Sequence, residues 1–535
     1  MLNWFKKKRR AKIRAYMRGY NALVKENNPE YIAQLRNELA NNPINGLSVK
    51  ANFNSNKNTC YHQFLVKRVI NRDLNKALLT AIVDPKNRVY HPLPNQWRKI
   101  IVDKGFKVPV LWNKILWIQF NVKWFFVGLA TGLLEILKAN IKQNKKLLNL
   151  GAFFENLSPN NLTQSPDNKA KNIVEWFSEQ KEANTVETIH HSCKAATSFK
   201  VNGKNVSFRP HALPGINSSL KLLKFSIWLV KKSCIALFNQ QERLLFRQLV
   251  FQKIAQLTTS NERYKMYLFH NSGHIFRPLW TYDVEQKGSQ IIFYFYSTNN
   301  SSFKVKGKTK TQDNQWQVLN WPNYWIWNKE QKVFLKSYIQ SDYTTTIKNF
   351  IPFSCSSKEI NLSQLKVKPT LLIFDVQPVN KIFYASIAQS VDFYSEENTI
   401  TLLEWIDQLA NAYGINILIK RKRKNELVSK KYIRKINELK GNGLWNEIDP
   451  SIDANSALVN LNPIASISTP FTSTAFISKF HKIPSIYLDP TGKLDKEFYA
   501  HIEVPLISCK VGLFKWFESL YEKEGFKIKK SINDY

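Results

Sequence analysis

The chain has 535 residues, and its 78 lysines and arginines against 40 acidic residues give a formal net charge of +38. Hydrophobic residues make up 44% and aromatic residues 13%, which excludes a disordered polyelectrolyte, and 17 glycines and 21 prolines are too few for a collagen-like chain. The charge predicts an anionic partner, but it does not choose between nucleic acid, an acidic membrane face and a phosphorylated substrate.

The first twenty residues are basic and do not form a secretory signal. They carry eight lysines and arginines and no acid, and no apolar stretch of the required length follows. Trp4, Phe5, Ile13 and Tyr16 lie among these charges, a pattern that suits an anionic membrane surface. A solvated basic arm or a nucleic-acid contact is the alternative interpretation.

Five widely spaced cysteines with no C-x-x-C pair argue against a disulfide framework and against a cysteine-based zinc site. Reduced thiols fit the cytoplasm. We therefore expect a cytoplasmic protein that is peripheral on the inner face of the cytoplasmic membrane.

Residues 1–150 are predicted to be mostly helical. Ile32, Leu35 and Leu39 share one helical face. The most apolar stretch, 110–137, is interrupted by charges, and its longest uncharged run has 11 residues where a membrane-spanning helix needs about 20. This stretch therefore predicts a buried core helix or an in-plane interfacial helix, and the run 225–238 has the same character.

Residues 264–297 contain two short apolar runs separated by a helix. The runs are 264–270 and 290–297, and the predicted helix covers 279–287. This order is typical of a parallel β-α-β unit.

The last third of the chain repeats the alternation more clearly. Strands are predicted at 371–375, 415–419 and 485–488, with strands or strand ends at 457–460 and 465–468; helices are predicted at 399–413, 472–481 and 512–522. Such an alternation implies a doubly wound sheet that binds its ligand at the carboxyl ends of its strands.

The fold class predicted from these elements is α/β, with two Rossmann-like lobes and a helical N-terminal region. The expected boundaries are 1–150 for the helical basic region, 151–350 for the first lobe and 351–535 for the second. Neither G-x-G-x-x-G nor a Walker A motif occurs, so no dinucleotide cofactor and no P-loop are expected.

A basic run directly after a predicted strand is the first candidate site. Residues 420–440 hold ten lysines and arginines and two glutamates. Lys420, Arg421 and Arg423 can bind phosphate oxygens, the arginines through their forked guanidinium groups. A solvated basic face is the alternative.

The second candidate is a turn between a strand and a helix that is crowded with hydroxyl groups. Its members are Ser468, Thr469, Thr472, Ser473 and Thr474. Free N–H groups at a helix start, together with hydroxyls, form an anion site, whereas ordinary capping needs one hydroxyl.

The sequence PFTS at 470–473, within ISTPFTSTAFISKFHKIPSIYLDPTG, resembles the family of polysaccharide biosynthesis proteins named for that motif. Further resemblance lies in RPLWTYDVEQKGSQIIFYFYSTN at 277–299, NWPNYWIWNKEQ at 320–331, LLIFDVQP at 371–378 and ILIKRKR at 417–423, so that it covers roughly residues 200–520. The resemblance implies a GT-B-like glycosyltransferase, with a nucleotide-sugar in the C-terminal lobe and an acceptor in the N-terminal lobe.

By this resemblance, Lys420, Arg421, Arg423 and the 468–474 turn are donor-side groups, and Asp375 contacts the donor or orders its own loop. No Asp-x-Asp motif stands where a metal would be needed, so no metal and no cofactor are expected.

A base that deprotonates the acceptor should come from the N-terminal lobe. Glu285, His270 or His274, and Asp283 follow a predicted strand or lie on the next helix, and all are of a type suited to proton transfer. Structural hydrogen bonding is the alternative for a single histidine.

These features predict a glycosyltransferase that acts in bacterial cell-surface polysaccharide (O-antigen or capsule) biosynthesis. Its expected partners are a nucleotide-sugar donor, a growing or lipid-linked glycan acceptor and an anionic membrane surface, without nucleic acid. The alternatives are a nucleic-acid-binding protein that uses the basic surface and a non-catalytic partner of a polysaccharide assembly complex.

Overall fold

A computed structural model describes most of the chain between residues 28 and 523. The described ranges are 28–42, 56–83, 88–139, 148–165, 169–194, 198–272, 276–298, 304–307, 316–339, 341–356, 358, 369–376, 378, 395–422, 428–499 and 502–523.

The N-terminal region is helical, as predicted. Helices α1 to α5 span Asn28–Asn41, Asn56–Arg68, Arg72–Val83, Asn95–Asp103 and Val110–Leu137. Ile32, Leu35 and Leu39 are buried on the inner face of α1. They belong to a hydrophobic cluster that also includes Leu244 and Leu279, so this region packs continuously onto the first lobe.

Helix α5 is the one helix of the described part of the chain that is long and apolar enough to cross a membrane, judged by length and composition. Many of its large apolar side chains are exposed, among them Leu111 at 69% and Ile118 at 61%. A buried core helix, one of the two alternatives drawn from the sequence, is therefore wrong.

The first lobe contains a sheet of eight strands in the order β3-β4-β2-β1-β5-β6-β7-β8, parallel except for the β3–β4 pair. The strands are β1 Gly151–Phe154, β2 Thr188–His191, β3 Phe199–Val201, β4 Lys204–Phe208, β5 Met266–His270, β6 Gln290–Tyr294, β7 Asn323–Ile326 and β8 Thr344–Ile347. The helices are α6 Ile173–Ser178, α7 Ser219–Phe238, α8 Gln240–Leu244, α9 Phe246–Leu257, α10 Trp280–Gln286 and α11 Lys329–Tyr338. Short 3-10 turns lie at Pro159–Asn161, Lys181–Thr185, Ser260–Glu262 and Trp316–Val318.

The second lobe contains a parallel six-stranded sheet in the order β11-β10-β9-β12-β13-β14. The strands are β9 Thr370–Phe374, β10 Asn416–Lys420, β11 Trp445–Ile448, β12 Ala465–Ser468, β13 Ser485–Leu488 and β14 Leu506–Ile507. The helices are α12 Glu396–Tyr413, α13 Lys430–Gly441, α14 Ala454–Leu461, α15 Ser473–Phe480 and α16 Lys510–Lys523.

The predicted fold class, α/β with two Rossmann-like lobes and a helical N-terminal region, is confirmed. One element was predicted wrongly: residues 457–460 belong to helix α14 and not to a strand. The Asp453 side chain caps this helix by accepting a hydrogen bond from the Ser456 N–H at 3.0 Å. The short apolar run alone did not distinguish helix from strand.

In both sheets the strand order changes direction beside the first strand, because later strands are added on both of its sides. In the first sheet β2 and β4 lie on one side of β1 and β5 lies on the other, and in the second sheet β10 and β12 flank β9. In open α/β sheets such reversals open a crevice at the carboxyl ends of the strands. Each lobe thus has one preferred ligand position, between β1 and β5 or between β9 and β12.

The carboxyl edges of the two sheets meet. Thr298, after β6, donates its backbone N–H to the hydroxyl of Ser473 at 2.9 Å. Val305 pairs with Leu494 in an antiparallel bridge, and Phe350, after β8, packs on Phe480 with ring centroids 5.0 Å apart. The two preferred ligand positions therefore lie on sheet edges that contact one another, and the region between these edges is called the interlobe site below.

Candidate functional site

In the second lobe, Lys420 and Ser468 lie on either side of Phe374, on the two strands that flank β9. In the strand register Lys420 pairs with Phe374, and so does Ser468 from the opposite neighbour. Since adjacent strands are about 4.8 Å apart, the two Cα atoms are about 10 Å apart on the same face of the sheet. The basic run and the hydroxyl-rich turn thus begin at the same edge, while their binding of a phosphate stays a prediction.

The PFTS turn has a fixed backbone shape. Pro470 presets its own φ near −65°, and Phe471 follows with a φ of 59°, a left-handed value that few residues other than glycine adopt. The Phe471 ring is buried against Tyr499 and Tyr487, with ring centroids 4.5 and 5.6 Å away. Aromatic packing therefore holds the chain in a turn that its backbone alone does not favour.

The hydroxyls of Ser468, Thr472 and Thr474 bond to one another, and no side chain caps the helix that follows. Thr472 donates its hydroxyl to the Thr469 carbonyl at 2.9 Å, and Thr474 lies 3.0 Å from the Thr472 hydroxyl and 2.8 Å from that of Ser468. Thr472 stands at the N-cap of α15 and makes no side-chain cap there. The first N–H groups of α15 thus begin without the usual side-chain acceptor, which is the arrangement that receives an anion.

Lys420 is a buried cation in acidic surroundings. Its side chain is almost completely shielded from solvent. Burial lowers the pKa of Lys420, while the charges of Asp453, Asp375 and Asp449 act in the opposite direction. Asp375, directly after β9, accepts a hydrogen bond from the Tyr432 hydroxyl. The edge therefore carries one buried positive charge with carboxylates near it.

Arg421 does not lie at the donor-side position that was expected from the sequence. Its guanidinium pairs with Glu447 on β11, and Lys440 approaches the same carboxylate at 3.5 Å. This pair lies on the far side of β10 from the crevice between β9 and β12. Because its charge is already matched there, Arg421 is not part of the interlobe site; Arg423 lies outside the described residues.

His270 lies at the predicted edge but is not a free base. Its Nδ1 accepts the Ser272 N–H at 3.2 Å, and its Nε2 lies 3.2 Å from the Asn156 carbonyl, so that Nε2 carries the proton. Burial lowers the pKa of His270 to about 4. A neutral imidazole with both nitrogens bonded shapes the edge of β5 instead of accepting a proton; His274 lies outside the described residues.

The two acidic candidates on α10 point away from the site. Asp283 accepts hydrogen bonds from the Gln252 and Gln256 amides at 3.0 and 2.9 Å, and Glu285 pairs with Arg277. Helix α10 runs from the carboxyl end of β5 back to the amino end of β6, so its last residues lie near the opposite edge of the sheet. The sequence-based expectation for Glu285 and Asp283 is therefore corrected.

A different carboxylate occupies the crevice of the first lobe. Glu155 directly follows β1, and its N–H donates to the Leu268 carbonyl of β5 at 3.0 Å, across the reversal point of the sheet. Its side chain is half-buried, and burial raises the pKa of Glu155 to about 7. An acid at this place with this pKa is suited to exchange a proton near neutrality.

Sequence reasoning missed Glu155 because it assigned no strand to residues 151–154. The signal was present: four residues, Gly-Ala-Phe-Phe, form an apolar run that ends in an acid. The run is too short to be recognised without its partner strands β2 and β5, which come about 35 and 115 residues later.

Within the described ranges, no group of three or more histidine, cysteine or acidic side chains could hold a metal ion. Lys420 and the helix start at α15 both contribute positive charge to the described edge.

Comparison with solved structures finds similar chains at low identity. The N-terminal domain of trehalose-6-phosphate phosphatase from Candida albicans is 12% identical over 72% of this chain and 91% of its own, with a TM-score of 0.37. A UDP-forming α,α-trehalose-phosphate synthase from Burkholderia vietnamiensis is 8% identical over 70% and 92%, also with a TM-score of 0.37. An E. coli trehalose-6-phosphate structure bound with UDP-2-fluoro glucose is 9% identical over 69% and 91%, with the same TM-score.

The model of the family described as polysaccharide biosynthesis PFTS motif protein matches residues 225–517, more than half of the chain. No curated protein matches the sequence significantly. The chain belongs to the polysaccharide biosynthesis PFTS motif family, and the resemblance carried by residues 470–473 is confirmed.

Proposed function

We propose that this member of the PFTS family is a glycosyltransferase that uses a nucleotide-sugar donor bound between β9 and β12 and an acceptor bound between β1 and β5. One observation carries the proposal: the carboxyl edges of the two sheets are joined by the Thr298–Ser473 hydrogen bond, and each sheet has a chemically suited group beside its reversal, an acid of raised pKa in the first and an uncapped helix start in the second. The description of the family, polysaccharide biosynthesis, also supports a sugar-transfer reaction.

The proposed reaction joins the two sides of the interlobe site. Glu155 in its ionised form takes the proton of an acceptor hydroxyl, and the acceptor oxygen forms a bond to the anomeric carbon of the donor sugar. The bond from that carbon to the terminal phosphate oxygen breaks, and the nucleotide leaves with the electron pair. The reaction thus needs a base in the first lobe and a group that binds an anion in the second.

The second lobe supplies that anion-binding group. The first N–H groups of α15 carry the positive end of the helix dipole. Lys420 adds a full charge at the same edge, in register with Ser468 through Phe374. These two features stand in for the divalent cation that other transferases use, so we propose a reaction that does not need a metal.

The acceptor is proposed to be a growing or lipid-linked glycan of a bacterial cell-surface polysaccharide, such as O-antigen or capsule. The family description supports the polysaccharide. The exposed apolar helices α5 and α7 in the acceptor-binding half of the chain support a lipid-linked substrate.

Thermal unfolding of the full chain with UDP-, GDP-, dTDP- and CMP-linked compounds tests the proposal. A ligand that binds the folded state raises the melting temperature, and the stabilisation grows with the logarithm of the ligand concentration over Kd, so one nucleotide class should stabilise the protein. Lys420→Met should abolish this shift, whereas Lys431→Met, which removes an exposed lysine of α13, should keep it. Absence of a shift with every donor contradicts the proposal and favours a non-catalytic partner.

A nucleic-acid assay separates the remaining alternative. Titration of DNA and RNA at increasing salt should show no binding at physiological ionic strength. Tight, steeply salt-dependent binding together with no donor shift would favour the nucleic-acid interpretation.

A further inference from the structure

Helix α5 exposes a continuous apolar stripe. Seven large side chains recur at helical spacing on its outer side, and Leu111 and Phe126 are 69% and 59% exposed. The stripe consists of Leu111, Ile115, Ile118, Val122, Phe126, Leu133 and Leu137. An apolar strip of this length is unusual on the surface of a soluble chain.

The opposite side of α5 packs against the N-terminal region at its start and against the first lobe along the rest of its length. Asn113 donates to the His91 carbonyl at 3.0 Å near one end, and Trp117 donates to the Gln240 side chain at 3.2 Å. Further along, a Cβ on Gly128 would overlap the Phe246 side chain, and one on Gly132 would overlap Leu229. The helix is therefore fixed flat on α7 and α9 and does not project from the lobe.

Helix α7, which contacts α5 through Leu229, carries a second stripe. Its exposed apolar residues recur every three or four positions, and Ile227 and Val230 are 62% and 67% exposed. The stripe consists of Leu220, Leu223, Ile227, Val230 and Leu237, and Phe238 ends the helix with 91% of its surface exposed. Two adjacent helices of one lobe thus present apolar side chains to solvent.

The charges beside the stripes are positive. Lys114 and Lys123 on α5 and Lys224 and Lys231 on α7 are all exposed. The acids of both helices amount to Glu135, which is buried and lies 3.4 Å from the Lys138 ammonium. An apolar strip edged by lysines fits the headgroup and upper acyl region of an anionic bilayer.

A second copy of the chain fits this surface poorly. A twofold dimer places the same patch of both subunits face to face, so the lysines of one copy would approach those of the other. A bilayer with anionic headgroups offers the apolar and the negative component together.

We propose that the outer faces of α5 and α7 form a membrane-docking surface that inserts its apolar side chains in the plane of an anionic bilayer. The surface differs from the interlobe site in residues and position, so the inference does not depend on the transfer reaction. The lysines of this surface and the eight cations of residues 1–20, which contain no acid, contribute part of the net charge of +38.

Sedimentation of the full chain with vesicles tests the surface. The unmodified protein should bind vesicles of phosphatidylcholine and phosphatidylglycerol, and bind less to phosphatidylcholine alone or at high salt. Leu223→Ser with Ile227→Ser should weaken binding roughly a hundredfold, taking about tenfold for each inserted side chain. The second paired variant, Leu111→Ser with Ile118→Ser, should weaken vesicle binding by a similar factor.

Val511→Ser provides the matched control, because Val511 is 63% exposed on α16 of the other lobe. It should leave vesicle binding unchanged, and every variant should keep the melting temperature and the donor shift of the unmodified protein. Three results would overturn the inference: no binding of the unmodified protein to anionic vesicles, unchanged binding of both paired variants, or a lipid-free dimer that the paired variants dissociate.

Discussion

Replacement of Glu155 by glutamine separates the proposed catalytic role of this carboxyl from its effect on stability. Glutamine keeps the size of the side chain and removes its charge. The Glu155 pKa is raised from 4.5 to about 7 by burial. The substitution should therefore remove transfer activity while making the protein more stable at alkaline pH.

The sign of the stability effect follows from the direction of the shift. A carboxyl with a higher pKa in the folded than in the unfolded chain favours folding in its protonated form. That advantage is complete below pH 4.5 and is lost as the pH rises to about 7, where the folded state must also ionise the group. At 1.36 kcal/mol for each pKa unit, ionised Glu155 costs up to about 3 kcal/mol above pH 7.

Urea unfolding at pH 5 and at pH 8 measures this cost. Glu155→Gln and the unmodified protein should differ little at pH 5, and at pH 8 the variant should be more stable by about 1 to 3 kcal/mol. Glu187→Gln is the matched control, since it makes the same chemical change at an exposed position of the same lobe.

The transfer rate gives the second readout. In the unmodified protein the rate should rise with pH through about 7, as Glu155 ionises, and Glu155→Gln should retain less than about a hundredth of it, the range expected for loss of a general base. Full activity in the variant would refute the assignment of the base. Equal pH dependence of stability in both proteins would refute the buried position of the carboxyl.

Three further changes test the second lobe. Lys420→Met should lower the free energy of unfolding by about 3 kcal/mol in urea, because it leaves the nearby carboxylates without their buried cation. Phe471→Ala should cost about 3 kcal/mol, and Phe471→Gly about 1 kcal/mol less than alanine, because glycine tolerates a φ of 59°; equal losses in thermal unfolding would argue against backbone strain. Ser473→Ala should speed amide hydrogen exchange at Thr298, whose N–H loses its acceptor, and lower stability by about 1 kcal/mol; unchanged exchange would contradict the interlobe contact.

Several elements of the second lobe could be predicted closely from local signals, although β11 and β14 were not predicted and residues 457–460 belong to α14. The strand predicted at 415–419 is found at Asn416–Lys420, and the helix predicted at 472–481 is found at Ser473–Phe480. Short apolar runs and caps are local signals. The same local signals placed the turn 468–474 directly after a strand. The rule that ligands bind at the carboxyl ends of strands then assigned the turn to that edge of the sheet.

The first lobe was predicted less well because its site depends on strand order. Glu285 was a reasonable candidate by type, but it pairs with Arg277, and no local pattern reveals that pairing. The same holds in the second lobe for Arg421, which pairs with Glu447. His270 was placed at the correct edge, yet its burial and its two hydrogen bonds depend on Asn156, over a hundred residues away.

The arrangement of the two sheets explains why the position of a residue in the fold predicts its place in the site better than its residue type does. A phosphate-binding group and a proton acceptor can act on one substrate when they lie close together. The hydrogen bond from Thr298 to Ser473 joins the carboxyl edges of the two sheets. Of the acids of the first lobe considered as a base, Glu155 adjoins the reversal point of its sheet, while Asp283 and Glu285 lie toward the opposite edge. In the proposed reaction, Glu155, the residue next to the reversal of the first sheet, therefore shares its substrate with the PFTS turn.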